Sequence, residues 1–549
     1  MDLRLLHMGD IHGHLLPRPH LRGDGPGMQG GLAHLYTLVE RLRGEHPGTL
    51  LFNTGDTIQG SAEALFTRGQ ALVDVLDRFG IDAFAPGNWD YLYGKARFLE
   101  LFGPGSAGEG GCRWGAVAAN AYDDSSGGLL LPAYRMLAVG PCRIAVLGLS
   151  SDRAINALGP WVTEGIRFTS TADELGPLLA AIAEDEQPDL VVLLSEFGLA
   201  KNLLIAERYP QLAVVLSSDM HEETRDPVRT STGALVSEVG QDGTRLGQFD
   251  LRIEGGRVVD WTYHLHVVDE ALAPDGEIAA AIDAARRPFV SGPAFTPHVN
   301  PLNGATLATP IDTVVGQAHV GLHRSGFTHD PVPAAVQGTS SQYLAEAFRR
   351  QAGADVGHMR GFRYGTHVPV GPIRLEDLYH YMPVGPQLAV GRVTGRQLVD
   401  AVERSADGVF NPDPFKWTGG WLDAYAGLRF SLDVAGKKGH RTAGHRVQRH
   451  GDAGWSDLDF EARYRVAGYW YAREPRRVGG LETETAEVLA TTDGGVRDAV
   501  DWVTEDLAGN PADPMMDTVQ RVGNLPAPRH GNPELQPLAG ATRKHADDS

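Results

Sequence analysis

Cysteine is almost missing from this chain, with two residues among 549, Cys112 and Cys142. Two thiols exclude a disulfide scaffold and a cysteine-rich zinc site, while a single Cys112–Cys142 bridge stays open. A long uninterrupted apolar run is also missing, which argues against a transmembrane helix. No signal peptide precedes the first strand-like run. The chain as given therefore reads as cytoplasmic, or as periplasmic if it is a processed form of an exported protein. Basic excess is absent too: 49 Lys and Arg stand against 69 Asp and Glu, a net charge of −20. That balance argues against a nucleic-acid polymer as partner and for a well-solvated surface. No repeat recurs at a solenoid period.

What is present is an ordinary globular composition, 42% hydrophobic, on a chain too long for one core. From Asp2 to about Val290, strand-like runs alternate with helix-like ones. Leu50–Phe52 precedes the helical Gln70–Phe79, and Ala83–Ala85, Arg143–Leu149, Leu190–Leu194 and Ala213–Leu216 are further strand-like runs. Ala172–Glu184 and Leu199–Arg208 have helical patterning. Such alternation predicts an α/β sheet with helices packed on it. Leu235–Val239, Gly247–Ile253 and Val258–Val267 follow one another without helices and read as an added antiparallel section. Gly276–Arg287 is alanine-rich and reads as a helix. The organisation that results is a first domain over 1–290, a Pro-, Gly- and Asn-rich linker over 291–307, a second domain over 308–526, and a disordered tail over 527–549.

The chemistry sits at strand ends. Leu5–Met8 stops at Gly9 and releases Asp10-Ile11-His12. Residues i and i+2 of a strand project to the same side, so Asp10 and His12 converge at the carboxyl edge of a sheet. Open α/β sheets hold their ligands at that edge, and a carboxylate beside an imidazole suits a divalent metal. For one such end, two solvated polar residues are the plain alternative. The pattern recurs, however, at Asn53-Thr54-Gly55-Asp56, Gly87-Asn88-Trp89-Asp90, Leu194-Ser195-Glu196 and Ser217-Ser218-Asp219-Met220-His221. Five polar ends along one α/β half are not readily explained by chance.

This series, with Gly30-Gly31-Leu32-Ala33, resembles the metallophosphoesterase superfamily and specifically the 5′-nucleotidase family. That family's pattern is D-x-H, G-D, G-N-H-[DE], S-H and G-H-x-H. Gly361–Thr366, Phe410–Phe415, Gly419-Gly420 and Trp89 add a likeness to its SoxB-type sulfur-oxidation thiosulfohydrolases. The resemblance implies a four-layer αββα first domain and an α+β second domain that clamps substrate. It implies two divalent ions, Mn²⁺ first with Mg²⁺, Ca²⁺ or Zn²⁺ as alternatives. One site would use Asp10, His12, Asp56 and His221; the other would use Asp56 as a bridge with Asn88, Glu196 and Asp219. The implied activity is hydrolysis of a small phosphoester or sulfur-oxyanion substrate, with a carrier protein as a further partner. The alternatives are a 5′-nucleotidase or related phosphoesterase of nucleotide catabolism, and a non-catalytic binding protein on a degenerate scaffold.

The departures fall on one side. Glu196 and Asp219 stand where the family has His, so the second site is expected to prefer a hard ion. Four carboxylates, Asp10, Asp56, Glu196 and Asp219, would cancel two divalent ions, which weakens attraction for a dianion. Trp89 also replaces a family His and carries no titratable proton. Asn88, Asp90 and Arg363 are the implied catalytic positions, Asp90 as support for the Asn88 loop and Arg363 as a bidentate grip on an oxyanion. Phe410, Phe415 and Trp417, with Trp421, either line a substrate cleft or pack their own loop. His7 and His14 flank the first motif as non-ligands.

Overall fold

The computed structural model describes residues 1–522 apart from 23–24, 107–109, 152, 325–335, 364 and 493. The stretch read as a disordered tail lies outside the described residues.

The first half holds two sheets. One has the order Arg257–Val267, Arg245–Glu254, Asp2–Met8, Thr49–Asn53, Ala83–Phe84. The other runs Val228–Arg229, Leu235–Glu238, Val214–Ser217, Leu190–Ser195, Cys142–Leu149, Tyr134–Val139. Alternation explains how they stack. Leu3 and Leu5 of the first strand face the second sheet, together with Leu190, Val192 and Leu194. Leu6 and Met8 point the other way, onto Leu35, Val39 and Leu72 of the helices Leu32–Glu45 and Gln70–Leu76. Leu193 and Val215 likewise meet Leu179 and Ile205 of the helices Leu175–Asp185 and Leu199–Arg208. Strands apolar on both faces need cover on both sides, and a fully buried Leu or Val contributes roughly 1.5–3 kcal/mol. Helix, sheet, sheet, helix is the result.

Leu235–Glu238 differs from expectation. It runs parallel to Val214–Ser217 inside the second sheet rather than in an antiparallel section. Arg245–Glu254 and Arg257–Val267 do form an antiparallel pair, laid beside Asp2–Met8. Val236 packs against the helices and Leu235 against the other sheet, so this short strand is apolar on both faces, as a parallel position requires.

The second half is built on the sheet Ala424–Ala426, Val356–Met359, Arg463–Trp470, Gln387–Thr394, Ala486–Val488. Helices Thr339–Ala352 and Ala499–Gly509 pack on it. Between the halves, the stretch read as a linker is tied into the second core. It carries the paired strands His298–Val299 and Thr306–Leu307, and Asn300 Nδ2 donates to Asp498 at 2.6 Å. Ion pairs hold the halves together: Arg286 lies 2.7 Å from Glu63 and 2.9 Å from Glu376, and Arg18 reaches Glu376 and Asp377. Cys112 and Cys142 are both free, buried thiols.

Candidate metal centre

The carboxyl ends of strands from both sheets meet at one rim. Asp10 N donates to Gly55 O at 3.0 Å, His12 N to Asp56 O at 2.8 Å, and Asp219 N to Asp10 Oδ2 at 3.0 Å. These links stitch the first, second and fifth polar ends into one surface. Nine non-glycine residues among those described have left-handed backbone, and five of them are Asp10, His12, Asp56, Asp219 and His221. Backbone in that region is unfavourable for most side chains and persists where its surroundings impose it, commonly at functional sites. Gly87 is required nearby, because a Cβ there would overlap Asp56 Oδ1.

Two groups of ligand atoms form, each with its atoms within 4.8 Å of one another: Asp10, His12 and His221, and Asp10, Asp56 and Glu196. The Nε2 atoms of His12 and His221 lie 3.0 Å apart, and His12 Nε2 is 3.6 Å from Asp10 Oδ1 and 3.9 Å from Asp56 Oδ2. All five side chains are buried. Asp10 is the member common to both groups. Burial, opposed by His12 and aided by the nearby Asp10 and Asp90, pushes the Asp56 carboxyl up to about 8. Burial and the nearby Asp56 and Asp10 also hold Glu196 well above the usual carboxylate range. Glu196 Oε1 has no hydrogen-bond partner among the described residues. Three buried carboxylates this close cannot all ionise without cations, and mixed oxygen and imidazole donors fit divalent ions such as Mn²⁺ or Zn²⁺. The residues present therefore fit two ions.

Asp219 stands apart from both groups. Arg153 Nη1 donates to its carboxylate, and Arg363 Nη2 donates to its backbone carbonyl with the carboxylate Oδ1 at 3.6 Å. Arg153 was not singled out from the sequence. It follows the strand Cys142–Leu149, a sixth strand end whose polar run Ser150-Ser151-Asp152-Arg153 was the available signal. The two guanidiniums bring positive charge to the cleft that a count of the four carboxylates leaves out.

Asn88 is buried on the cleft wall, and its backbone N–H donates to Glu196 Oε2 at 3.3 Å. Asp90 does not reach the cleft. Its Oδ1 accepts from Thr57 N at 2.8 Å and Ile58 N at 3.1 Å, and its Oδ2 from Gly87 N at 2.8 Å. It clamps the Asp56 and Asn88 loops together. Trp89 N donates to Asp56 Oδ1 at 2.8 Å while its ring meets Phe362 edge-on at 5.4 Å. His7 lies against Thr54 Oγ1 at 2.8 Å, and burial drops its pKa to about 3. His14 stacks on His380 at 4.4 Å.

The cleft, about 240 Å³, lies between the halves. His12, Asp56, Asn88, Trp89, Arg153 and His221 form one wall; Phe362, Arg363 and Trp421 face them. The loop bearing Arg363 is anchored by the buried Arg324, whose Nη1 donates to Phe362 O at 2.6 Å. The aromatic expectation needs correction. Phe410 ends the amphipathic helix Gly395–Phe410 and packs into the core beneath it. Phe415 lies at the surface 5.6 Å from the Lys201 ammonium. Trp417 donates to Asn411 O at 2.6 Å and closes its own loop. None of the three lines the cleft; Trp421 does.

Residues 3–129 match the calcineurin-like phosphoesterase family model, and residues 314–476 match the 5′-nucleotidase C-terminal domain. The endonuclease YhcR of Bacillus subtilis is 23% identical over 75% of this chain, which spans 33% of that relative. The next two curated relatives are likewise spanned only over about a third of their length. The Thermus thermophilus sulfate thiohydrolase SoxB shares the fold, with a TM-score of 0.77 and 23% identity over 95% of this chain and 97% of its own. A 5′-nucleotidase precursor from the same organism gives a TM-score of 0.77 and 21% identity, covering 95% and 100%.

Proposed function

We propose, for a chain that belongs to the 5′-nucleotidase family of metallophosphoesterases, a hydrolase that directs water at a phosphorus or sulfur oxyanion centre in its interdomain cleft. The observation that carries this reading is the convergence of Asp10, His12, Asp56, Glu196 and His221 on one buried point. Two divalent ions held there would supply an acidified water and charge to offset the developing oxyanion. Manganese is the first ion to test, because Glu196 makes the second group all-oxygen.

The chain's own residues orient the substrate. Arg363 and Arg153, fixed in place by Asp219, face the same space as the ligand cluster and offer planar donors to an oxyanion. Asn88 presents its amide beside them. Trp89 stands where the nucleotidases have His, and an indole offers no titratable proton to a leaving oxygen. The cleft therefore suits leaving groups that depart without an acid, such as a thiol or a low-pKa phenol, better than a sugar alkoxide. This favours a SoxB-like chemistry over nucleotide breakdown.

The test pairs elemental analysis with assay. After incubation with Mn²⁺ the chain should hold two equivalents and hydrolyse p-nitrophenyl phosphate or a thiosulfonate ester faster than AMP. Less than one equivalent of metal, with all three esters inert, would overturn the reading in favour of a binding protein.

A further inference from the structure

The cleft continues past the ligand cluster into the second domain, where His358, Arg360, Arg404, Trp421, Asp423 and Tyr425 line it. Charge there is unbalanced. His358 Nε2 lies 3.0 Å from Asp423 Oδ2, and Gly361 N donates to Asp423 Oδ1 at 3.0 Å, so both carboxylate oxygens are engaged. Arg360 donates to the Asn156 carbonyl at 3.3 Å, and Arg404 is exposed at the mouth. Two guanidiniums thus share the space with one carboxylate already engaged. Arg360 lies against bare backbone: a Cβ on Gly480 would overlap its guanidinium.

Three polar atoms in these walls have no hydrogen-bond partner among the described residues: His358 Nδ1, Trp421 Nε1 and Tyr425 Oη. Their side chains are 1%, 4% and 3% exposed. Indole N–H and phenol O–H are both donors, and buried donors are normally paired. The walls are therefore donor-rich. Among the described residues, the rings Trp421, Phe362 and Tyr425 at this end each meet a neighbouring ring or guanidinium. The Arg363 guanidinium lies 5.4 Å from the Trp421 ring centre, Trp89 and Phe362 meet edge to face, and Tyr425 lies 5.1 Å from His358.

We infer that this end of the cleft is a second anion subsite, and that the substrate is a small ester charged at both ends. One oxyanion lies over the ligand cluster. The other end, a carboxylate or a second phosphate on the leaving group, is held by Arg360 and Arg404 with Trp421 and Tyr425 as neutral donors. The inference rests on the hydrolase reading and adds the class of leaving group to it.

The experiment measures kcat/KM of the Mn²⁺-loaded full chain on p-nitrophenyl phosphate, AMP, phosphoglycolate and propanediol bisphosphate. The doubly charged esters should exceed AMP by about tenfold, the effect of one charge-assisted hydrogen bond. Arg404→Ala, on an exposed side chain, should lower their kcat/KM by a similar factor through KM and affect p-nitrophenyl phosphate far less. Whichever doubly charged ester is preferred identifies the anion. AMP equal to or better than both, or Arg404→Ala lowering all four alike, overturns the subsite. If p-nitrophenyl phosphate is itself inert, the hydrolase reading fails separately. Calorimetric titration with phosphoglycolate then decides: binding about tenfold weaker to Arg404→Ala supports the subsite, and equal binding overturns it.

Discussion

The two groups of candidate ligands share Asp10 and differ in their other donors. One completes itself with the imidazoles of His12 and His221, the other with the carboxylates of Asp56 and Glu196. Imidazole accepts a wide range of transition ions, whereas an all-carboxylate group favours hard ones and carries the greater repulsion when empty. A pair of sites that are chemically unequal should fill unequally, and most ways of testing the centre exploit that inequality.

The largest effect belongs to Asp10→Asn. Asp10 contributes to both groups, so this change should remove both ions and lower kcat on the order of a hundredfold or more. Retention of two equivalents by elemental analysis would break the comparison at its shared member. Next is Arg153→Ala, which leaves the buried Asp219 with one guanidinium fewer. Loss of such a partner costs about 3 kcal/mol, read as a lower urea midpoint with an unchanged slope.

The pH dependence of the metal-free chain gives a smaller effect within any one pH unit. The folded pKa of Asp56, about 8, lies above its unfolded value, so the folded state binds more protons between roughly pH 4 and 8. Stability of the metal-free chain should therefore be greatest below that window and fall as pH rises through it. The fall is at most about 1.4 kcal/mol per pH unit for this group. Adding Mn²⁺ should reverse the trend above neutrality, and a metal-free stability that rises with pH would contradict the assignment. Smallest is Glu196→His, which makes the second group resemble the first. Competition titration should show the Mn²⁺ to Zn²⁺ affinity ratio falling by about tenfold.

Much of the rim was legible before any coordinates. Apolar runs ending in Asp, Asn, Glu or His marked Asp10, His12, Asp56, Asn88, Glu196 and His221, because strand periodicity and the sheet-edge rule act locally. What escaped depends on partners far away in the chain. Asp219 reads as a ligand from its strand end, yet Arg153 and Arg363 claim it, and neither is near it in sequence. The charge balance drawn from four carboxylates left out Arg153 and Arg363 for the same reason. Phe410 was legible in a different way: Val399, Val402 and Ala406 precede it at helical spacing on one side of the helix, so helical period would have sent it inward. Aromatic density around it carried the opposite suggestion.

The left-handed backbone at Asp10, His12, Asp56, Asp219 and His221 carries a consequence for any collection of inactive variants. Asparagine tolerates that conformation better than almost any other residue with a side chain, and it is the isostere of aspartate. An Asp10→Asn or Asp56→Asn change discards a mutual repulsion without disturbing the chain path. Dead variants at these positions should thus melt later than the metal-free parent, and heat resistance among crippled mutants becomes a map of where the molecule accepts fragility for the sake of reactivity.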